Sequence, residues 1–229
     1  MSFLPGMFPG RASKIPASIS YVGNSDSTAD NATQTFNGLS VGSASPGRKV
    51  VIGVGTVGTA TGLTATYAGN AMTQLGFVDG TNATLAVFSI DEASATTANV
   101  VVTATAGSIF SSRVWVWNVF NGNTTAFSTA SDISPSGSTP GTVFWGDIFL
   151  NCPDGSVIVG VASDIDNFTG APGATWTGLA ERQDSTLEVA TDNLTAADAT
   201  VAVATPSYTI RQSWSSLSFN GGGLLAVCL

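Results

Sequence analysis

The residue types that most often carry out chemistry are scarce in this chain. It has no histidine and only two cysteines, so the commonest general base is missing and neither a Ser-His-Asp nor a Cys-His arrangement can form. Two thiols are also too few for a four-ligand zinc site within one chain. Cys152 and Cys228 are expected to be buried free thiols in a reducing compartment, with a disulfide as the alternative in an oxidising one. The sequence therefore predicts no cofactor and no catalytic residue.

Carboxylates are the remaining candidates for a reactive or metal-binding site. Asp164, Asp166 and Asn167 place oxygen ligands close together on a predicted loop, which makes a weak candidate calcium site because the spacing does not follow an EF-hand. Paired carboxylates are also the machinery of glycoside hydrolysis, and the densest acidic group is Asp164, Asp166, Glu181, Asp184 and Glu188. These acids lie near predicted turns, so solvated loop charges are the favoured interpretation, and we expect neither metal binding nor hydrolysis.

Two tryptophans offer a candidate binding surface. Alternation along residues 113–118 puts Trp115 and Trp117 on one face of a predicted strand. Exposed rings would form a platform for a sugar, but the neighbouring Val and Phe residues favour a core face instead. The run Gly53-Val54-Gly55 does not resemble a phosphate loop, because no Lys follows it and no helix begins there. Such glycines in a strand are typical of bulges or close packing.

Charge and composition separate the first residues from the rest. Charged residues make up 10% of the chain, against about a quarter in an average protein, and the net charge is −8. An acidic body argues against nucleic-acid binding, and no apolar segment is long enough for a membrane-spanning helix. Residues 1–18 read as an extended, proline-containing docking arm that reaches up to about 60 Å. Its apolar anchors and basic residues are Phe3, Leu4, Met7, Phe8, Arg11 and Lys14.

The remaining residues, 19–229, contain two segments with a similar order of motifs. The pseudo-repeats span about 50–122 and 157–221, and both close on Phe-Asn-Gly. Pro135, Gly137, Pro140 and Gly141 indicate a linker at about 134–141. Short segments rich in β-branched residues, separated by turns and without a helical period, predict an all-β fold. We therefore expect a jelly-roll-like antiparallel β-sandwich built from two similar halves, with tandem small sandwiches as the alternative.

The sequence also resembles a known class of proteins. Its opening, Met1-Ser2-Phe3-Leu4-Pro5-Gly6-Met7-Phe8-Pro9-Gly10, resembles the starts of structural proteins of tailed bacteriophages. The body, with Asp154-Gly155-Ser156-Val157-Ile158-Val159-Gly160-Val161, Trp176 and Trp214, resembles β-sandwich modules of phage virion proteins and bacterial surface proteins. The resemblance implies a capsid decoration protein, head fibre or tail-associated module without catalytic residues, whose N-terminal arm docks on the shell.

These observations together lead to one expected function and one alternative. We expect a non-enzymatic virion structural protein, made in the host cytoplasm, that decorates or stabilises the capsid through its arm. Its expected partners are the major capsid protein or other virion proteins, and it is expected to form a homo-oligomer, with a trimer favoured. The alternative is a carbohydrate-binding tail or fibre module that attaches to a host surface through Trp115 and Trp117.

Overall fold

The described part of the chain consists of β-strands joined by turns. The computed structural model describes residues 15–80, 82–123, 125–133, 141–144, 147–165, 174–187, 192–216 and 221–229. The strands of the first half are β1 Ser18–Ser27, β2 Thr33–Ser40, β3 Arg48–Gly58, β4 Thr61–Tyr67, β5 Asn70–Ala71, β6 Thr73–Gly80, β7 Ala83–Asp91, β8 Thr97–Ala106 and β9 Ile109–Phe120. Those of the second half are β10 Ser128–Asp132, β11 Gly141–Phe144, β12 Ile148–Cys152, β13 Ser156–Ile165, β14 Ala174–Thr177, β15 Ala180–Thr186, β16 Asp192–Val201, β17 Thr205–Ser216 and β18 Gly222–Cys228.

The first nine strands form a two-layer sandwich. One sheet has the order β1-β9-β3-β7-β6 and the other the order β2-β8-β4-β5, and the strands pair antiparallel. The chain crosses between the sheets after β1, β2, β3, β5, β7 and β8, which has the form of nested Greek keys. The facing sides enclose a first core that includes Phe36, Ile52, Tyr67, Phe88 and Val100.

The second half repeats most of this arrangement, with β11 added and without a counterpart of β5 among the described residues. Its five-stranded sheet has the order β10-β18-β13-β16-β15, in which each strand takes the place of β1, β9, β3, β7 or β6. The strand β17 pairs with β12 and β14, just as β8 pairs with β2 and β4, and β11 extends the pairing of β17. The prediction of an all-β, antiparallel β-sandwich with two similar halves is confirmed.

The strand order gives the two halves limits that differ from the predicted repeats at about 50–122 and 157–221. Because β18 is the counterpart of β9, the second unit runs to Cys228 rather than to 221, and the second Phe-Asn-Gly motif precedes its last strand. Strand β10 belongs to the second sandwich, so the chain passes between the sandwiches after Phe120 and before Ser128. Of the predicted linker at 134–141, only Gly141 lies within the described residues, and it begins β11.

The two sandwiches pack against each other through their five-stranded sheets, which gives four layers. The interface core joins Val51, Val87, Trp115, Trp117 and Val119 to residues of the second half: Val157, Val159, Val161, Leu194, Ala196, Leu225 and Val227. A third core lies inside the second sandwich and includes Ile158, Trp176, Ile210 and both cysteines. Strands β3 and β13 are therefore buried on both faces, as central strands of a multilayer structure are.

Glycines let the two middle layers come close together. A Cβ added to Gly53 would lie 2.6 Å from Val161 Cγ1, and one added to Gly55 would lie 3.1 Å from Leu194 Cδ1. A Cβ on Gly160 would instead meet Leu179 and Trp176, inside the second sandwich. The starts of the two predicted repeats, at about 50 and 157, would match Gly53 with Gly160, but the two glycines face opposite sides of their sheets, so that match is one residue out of register.

Candidate functional site

The predicted docking arm lies mostly outside the described residues. Phe3, Leu4, Met7, Phe8, Arg11 and Lys14 all fall in residues 1–14, and the described chain begins at Ile15. The base of the arm is held by the second sandwich, although β1 belongs to the first. The amide of Ala17 donates to Gly155 O at 2.7 Å, and Asn121 Nδ2 donates to Pro16 O at 3.4 Å. Pro16 and Ala17 are therefore held by contacts with both halves.

An apolar surface surrounds the base of the arm. A pocket of about 290 Å³ is lined by Pro16, Ala17, Asp154, Gly155, Ser156, Thr200, Val201 and Ala202. Val203 adjoins it at 73% exposure and Ile15 at 68%, and these are the two most exposed large hydrophobic side chains of the described residues. Exposed apolar side chains that lie close together are a common feature of contact surfaces. We call the exposed residues Ile15, Pro16, Ala202 and Val203 the arm-base patch, which borders the buried side chains of Ala17 and Val201.

A glycine shapes this patch. Gly155 has φ of +72°, and an added Cβ would lie 3.2 Å from Pro16 Cα. Since a side chain is strained at this backbone conformation and would also push against the chain, glycine is the residue that lets Pro16 lie on the turn between β12 and β13. Val203 lies in the turn between β16 and β17, and Pro206 is the second residue of β17. Proline is tolerated at such a position near the start of a strand.

The prediction that Trp115 and Trp117 form an exposed platform for a sugar is wrong. Trp115 and Trp117 are 0% exposed, because the face of β9 that carries them packs against the second sandwich. The indole Nε1 of Trp117 donates to Asp198 Oδ2 at 2.8 Å, and its ring lies 5.7 Å from that of Tyr21. Both rings are core groups that join the two halves. The carbohydrate-binding alternative thereby loses the surface on which it was based.

Two buried ionic groups connect the halves next to these rings. Arg113 on β9 binds Asp26 through both carboxylate oxygens at 2.6 and 2.7 Å. It also donates to the backbone oxygens of Ser185 and Leu194 in the second half. Asp198 accepts from Trp117 and, at 2.7 Å on each oxygen, from Arg182. Each buried charge is paired, as burial in an apolar interface requires.

The candidate calcium ligands are not brought together within the described residues. Asp164 is 0% exposed and faces the interior of the second sandwich, whereas Asp166 and Asn167 lie outside the described residues. Asn193 is the register partner of Asp164. Among the described residues, no three His, Cys, Asp or Glu side chains are placed to hold a metal ion. The structure therefore places Asp164 in a strand rather than on the predicted loop.

The other acidic candidates are partly enclosed. Asp184 accepts a hydrogen bond from the amide of Ala174 at 2.7 Å, and burial raises the pKa of its carboxyl group. Burial, followed by the nearby charge of Asp184, also raises the pKa of Glu181. Glu188 lies outside the described residues. A raised carboxyl pKa is typical of many enclosed acids and does not by itself indicate catalysis.

The two cysteines, which are far apart in sequence, lie together inside the second sandwich. Both are free and buried, and both belong to the core between its two sheets. The amide of Asn151, next to Cys152, donates to Ser128 Oγ at 3.2 Å, and Ser128 is the register partner of Cys228. A hydrogen bond with Cys228, together with burial, raises the pKa of the Cys152 thiol.

Comparison with known proteins gives little further information. No protein-family model matches the chain, and no curated protein matches it. A conserved protein of unknown function from Pseudomonas aeruginosa PAO1 is similar over 96% of this chain and 97% of its own, with 14% identity and a TM-score of 0.24. The Cucumber Necrosis Virus structure is similar over 100% of this chain and 97% of its own, with 11% identity and a TM-score of 0.28. At such TM-scores neither protein's topology nor its role transfers to this chain.

The described residues contain no helix that is both long and apolar enough to cross a bilayer.

Proposed function

We propose that this chain is a non-enzymatic structural protein of a viral particle, which decorates or stabilises the capsid through its N-terminal arm. The observation that carries the proposal is the arm-base patch: the most exposed large apolar side chains surround the point where the arm leaves the body. The resemblance of the first ten residues to phage structural proteins favours the same role. A sequence without histidine also suits a protein that works by surface fit.

The composition of the arm suits attachment to a protein partner. Burying the side chains of Phe3, Leu4, Met7 and Phe8 contributes about 1.5–3 kcal/mol each. Ordering an extended segment costs about 1–2 kcal/mol per residue, which offsets much of that gain. A homo-oligomer that inserts several arms at once binds far more tightly than one arm alone. We therefore propose an oligomer, with a trimer favoured, whose partner is the major capsid protein or another virion protein.

The difference in charge between the arm and the body supports docking through the arm. The body carries most of the acidic residues of a chain whose net charge is −8, while Arg11 and Lys14 lie in the arm next to the body. An acidic partner surface would attract the arm and repel the rest of the molecule, which orients the encounter. Such an interaction weakens as salt screens it.

Co-sedimentation with purified particles tests the proposal. We expect deletion of residues 1–14 to abolish binding, and Val203→Ser to weaken it about 3- to 30-fold through lost apolar burial in the arm-base patch. The matched control is Phe110→Ser, because Phe110 is 45% exposed and lies at the opposite end of β9. Undiminished binding of the truncated protein would contradict the proposal, provided that gel filtration and circular dichroism show a folded body.

A further inference from the structure

The thiols of Cys152 and Cys228 lie at one point where the two sheets of the second sandwich face each other. Cys152 is the last residue of β12, and Cys228 is the last residue of β18 in the other sheet. Both are 0% exposed and share the third core with Ile158 and Ala226. Strands β12 and β18 are in contact with each other, and a hydrogen bond joins the side chains of Cys152 and Cys228. The two sulfur atoms therefore lie next to each other in the core.

We propose that Cys152 and Cys228 are a disulfide-forming pair, which is reduced in this structure and which, when oxidised, covalently joins the two sheets of the second sandwich. A cross-link between the facing sheets of a β-sandwich is geometrically established, since antibody domains contain one. The bond requires Cα atoms within about 4.4–6.8 Å and side chains that point toward each other. The hydrogen bond between the two thiols shows that these side chains point toward each other.

The two sulfur atoms are not equivalent. The hydrogen bond between them raises the pKa of Cys152 and lowers that of Cys228. Since the thiolate is the attacking species, Cys228 is the thiol that reacts first. Burial makes the oxidation of both thiols slow, because the oxidant must enter the core to reach them.

A small disulfide such as oxidised glutathione can form this bond in two thiol–disulfide exchange steps. The Cys228 thiolate attacks one glutathione sulfur, the glutathione disulfide breaks, and one glutathione thiolate leaves. Cys152 then loses its proton and attacks the Cys228 sulfur, which expels the second glutathione thiolate. The two cysteines are oxidised by two electrons, the glutathione disulfide is reduced, and the two thiol protons pass to the two glutathione thiolates.

The cross-link would close a long segment of chain, from β12 to β18. Restricting the unfolded chain in this way stabilises the folded state. We expect the unfolding temperature to rise by roughly 5–15 °C on oxidation, given the usual stabilisation by a native disulfide and the size of this chain. A consequence for particles rests on the proposed function: a protein released from a reducing cytoplasm into an oxidising medium would gain this bond.

Oxidation of the full-length protein tests the inference. The native protein is incubated with oxidised glutathione, and in parallel the reduced, denatured protein is refolded in a glutathione redox buffer. Free thiols are then alkylated in denaturant, and the peptides are identified by mass spectrometry. We expect a Cys152–Cys228 peptide in at least the refolded sample, together with the higher unfolding temperature and its reversal by dithiothreitol.

Two variants make the result specific. In Cys152→Ser and Cys228→Ser, the same oxidant is expected to leave the unfolding temperature unchanged, because one thiol cannot form an intramolecular bond. Two alkylated thiols in both samples, or glutathione adducts without the cross-linked peptide, would overturn the inference. Neither result depends on particle binding, so the inference and the proposed function succeed or fail separately.

Discussion

At the scale of single residues, the most informative positions are those without a side chain. Gly53 and Gly55 lie on the central strand β3 and face the second sandwich, where Trp117, Trp115 and Leu194 fill the space that a Cβ would occupy. The sequence indicated that glycines in this strand mark close packing. It did not show against what they pack, because the partner residues are more than fifty positions away along the chain.

Replacing Gly53 with alanine should destabilise the protein by about 1–3 kcal/mol, because the added methyl group overpacks the interface. Urea unfolding measures the loss. The matched control is Gly223→Ala in β18, where the new Cβ would make an ordinary 3.4 Å contact with Leu85. That variant should show no loss, since alanine also restricts the unfolded chain. Equal effects of the two substitutions would contradict the close packing of the sheets at Gly53.

Glu92 provides a pH-dependent prediction at the same scale. Its carboxylate accepts hydrogen bonds from the amides of Ala95 and Ser94 and from the Ser94 hydroxyl group, which lower its pKa from 4.5 to about 2. Because the folded-state pKa lies below the unfolded value, this stabilisation is fully present above about pH 4.5 and is lost as the pH falls through about 2.

We therefore expect wild type to be more stable than Glu92→Gln by a constant margin above pH 4.5. That margin should shrink steadily on acidification. Unfolding midpoints in urea, measured from pH 6 down to about pH 2 for both proteins, provide the comparison. A margin that does not change with pH would show that the carboxylate charge has no part in holding the turn after β7.

At the scale of elements, β9 shows what pattern reading can and cannot reach. Alternation correctly placed Trp115 and Trp117 on one face, and the opposite face, with Val114 and Val116, forms part of the first core. The neighbouring Val and Phe residues favoured a core face for the two tryptophans, but they did not show what covers it. Both faces are buried because a second five-stranded sheet covers β9. The alternation of residues along a strand does not show whether a sheet formed by distant residues covers one of its faces.

The same strand carries Arg113, which pairs with Asp26 in its own half and donates to two backbone oxygens of the other half. Arg113→Met removes the paired hydrogen bonds to Asp26 and the bonds to Ser185 O and Leu194 O. We expect a loss of about 2–4 kcal/mol, less than for a fully enclosed pair, because the Asp26 side chain remains 40% exposed. The control is Arg211→Met, which removes an equally short but exposed pair with Asp147 and should change the stability little.

Thermal and urea unfolding of Arg113→Met and Arg211→Met measure the two losses of stability. If both substitutions have the same small effect, Arg113 does not hold the sandwiches together in the way described. If Arg113→Met produces two separated unfolding transitions, the hydrogen bonds of Arg113 to the second half are needed for the halves to unfold as one unit.

At the scale of the whole molecule, the fold class was predictable and the arrangement was not. Short β-branched segments predicted an antiparallel sandwich, and a repeated order of motifs predicted two similar halves. The limits of those halves were misplaced, because alanine, threonine and valine runs align in more than one register and only hydrogen-bonded pairing distinguishes them. Within the described residues, the arm-base patch was also missed, since it forms from two segments, at 15–16 and 202–203, that meet only in the folded chain.

The four-layer body has one end at which several features coincide. The base of the arm, the turn at Gly155 and the exposed Val203 all lie where β1 begins and β16 ends. A molecule attached there would present its outer sheets, which carry threonine and serine in place of charge, to the surroundings.

A density map of the viral particle with this protein in place tests the central claim most directly. We predict that Ile15, Gly155 and Val203 face the shell, with residues 1–14 running along neighbouring subunits and the outer sheet β2-β8-β4-β5 turned away. A map in which this end of the molecule points into solvent, while an outer sheet makes the contacts, would contradict the account.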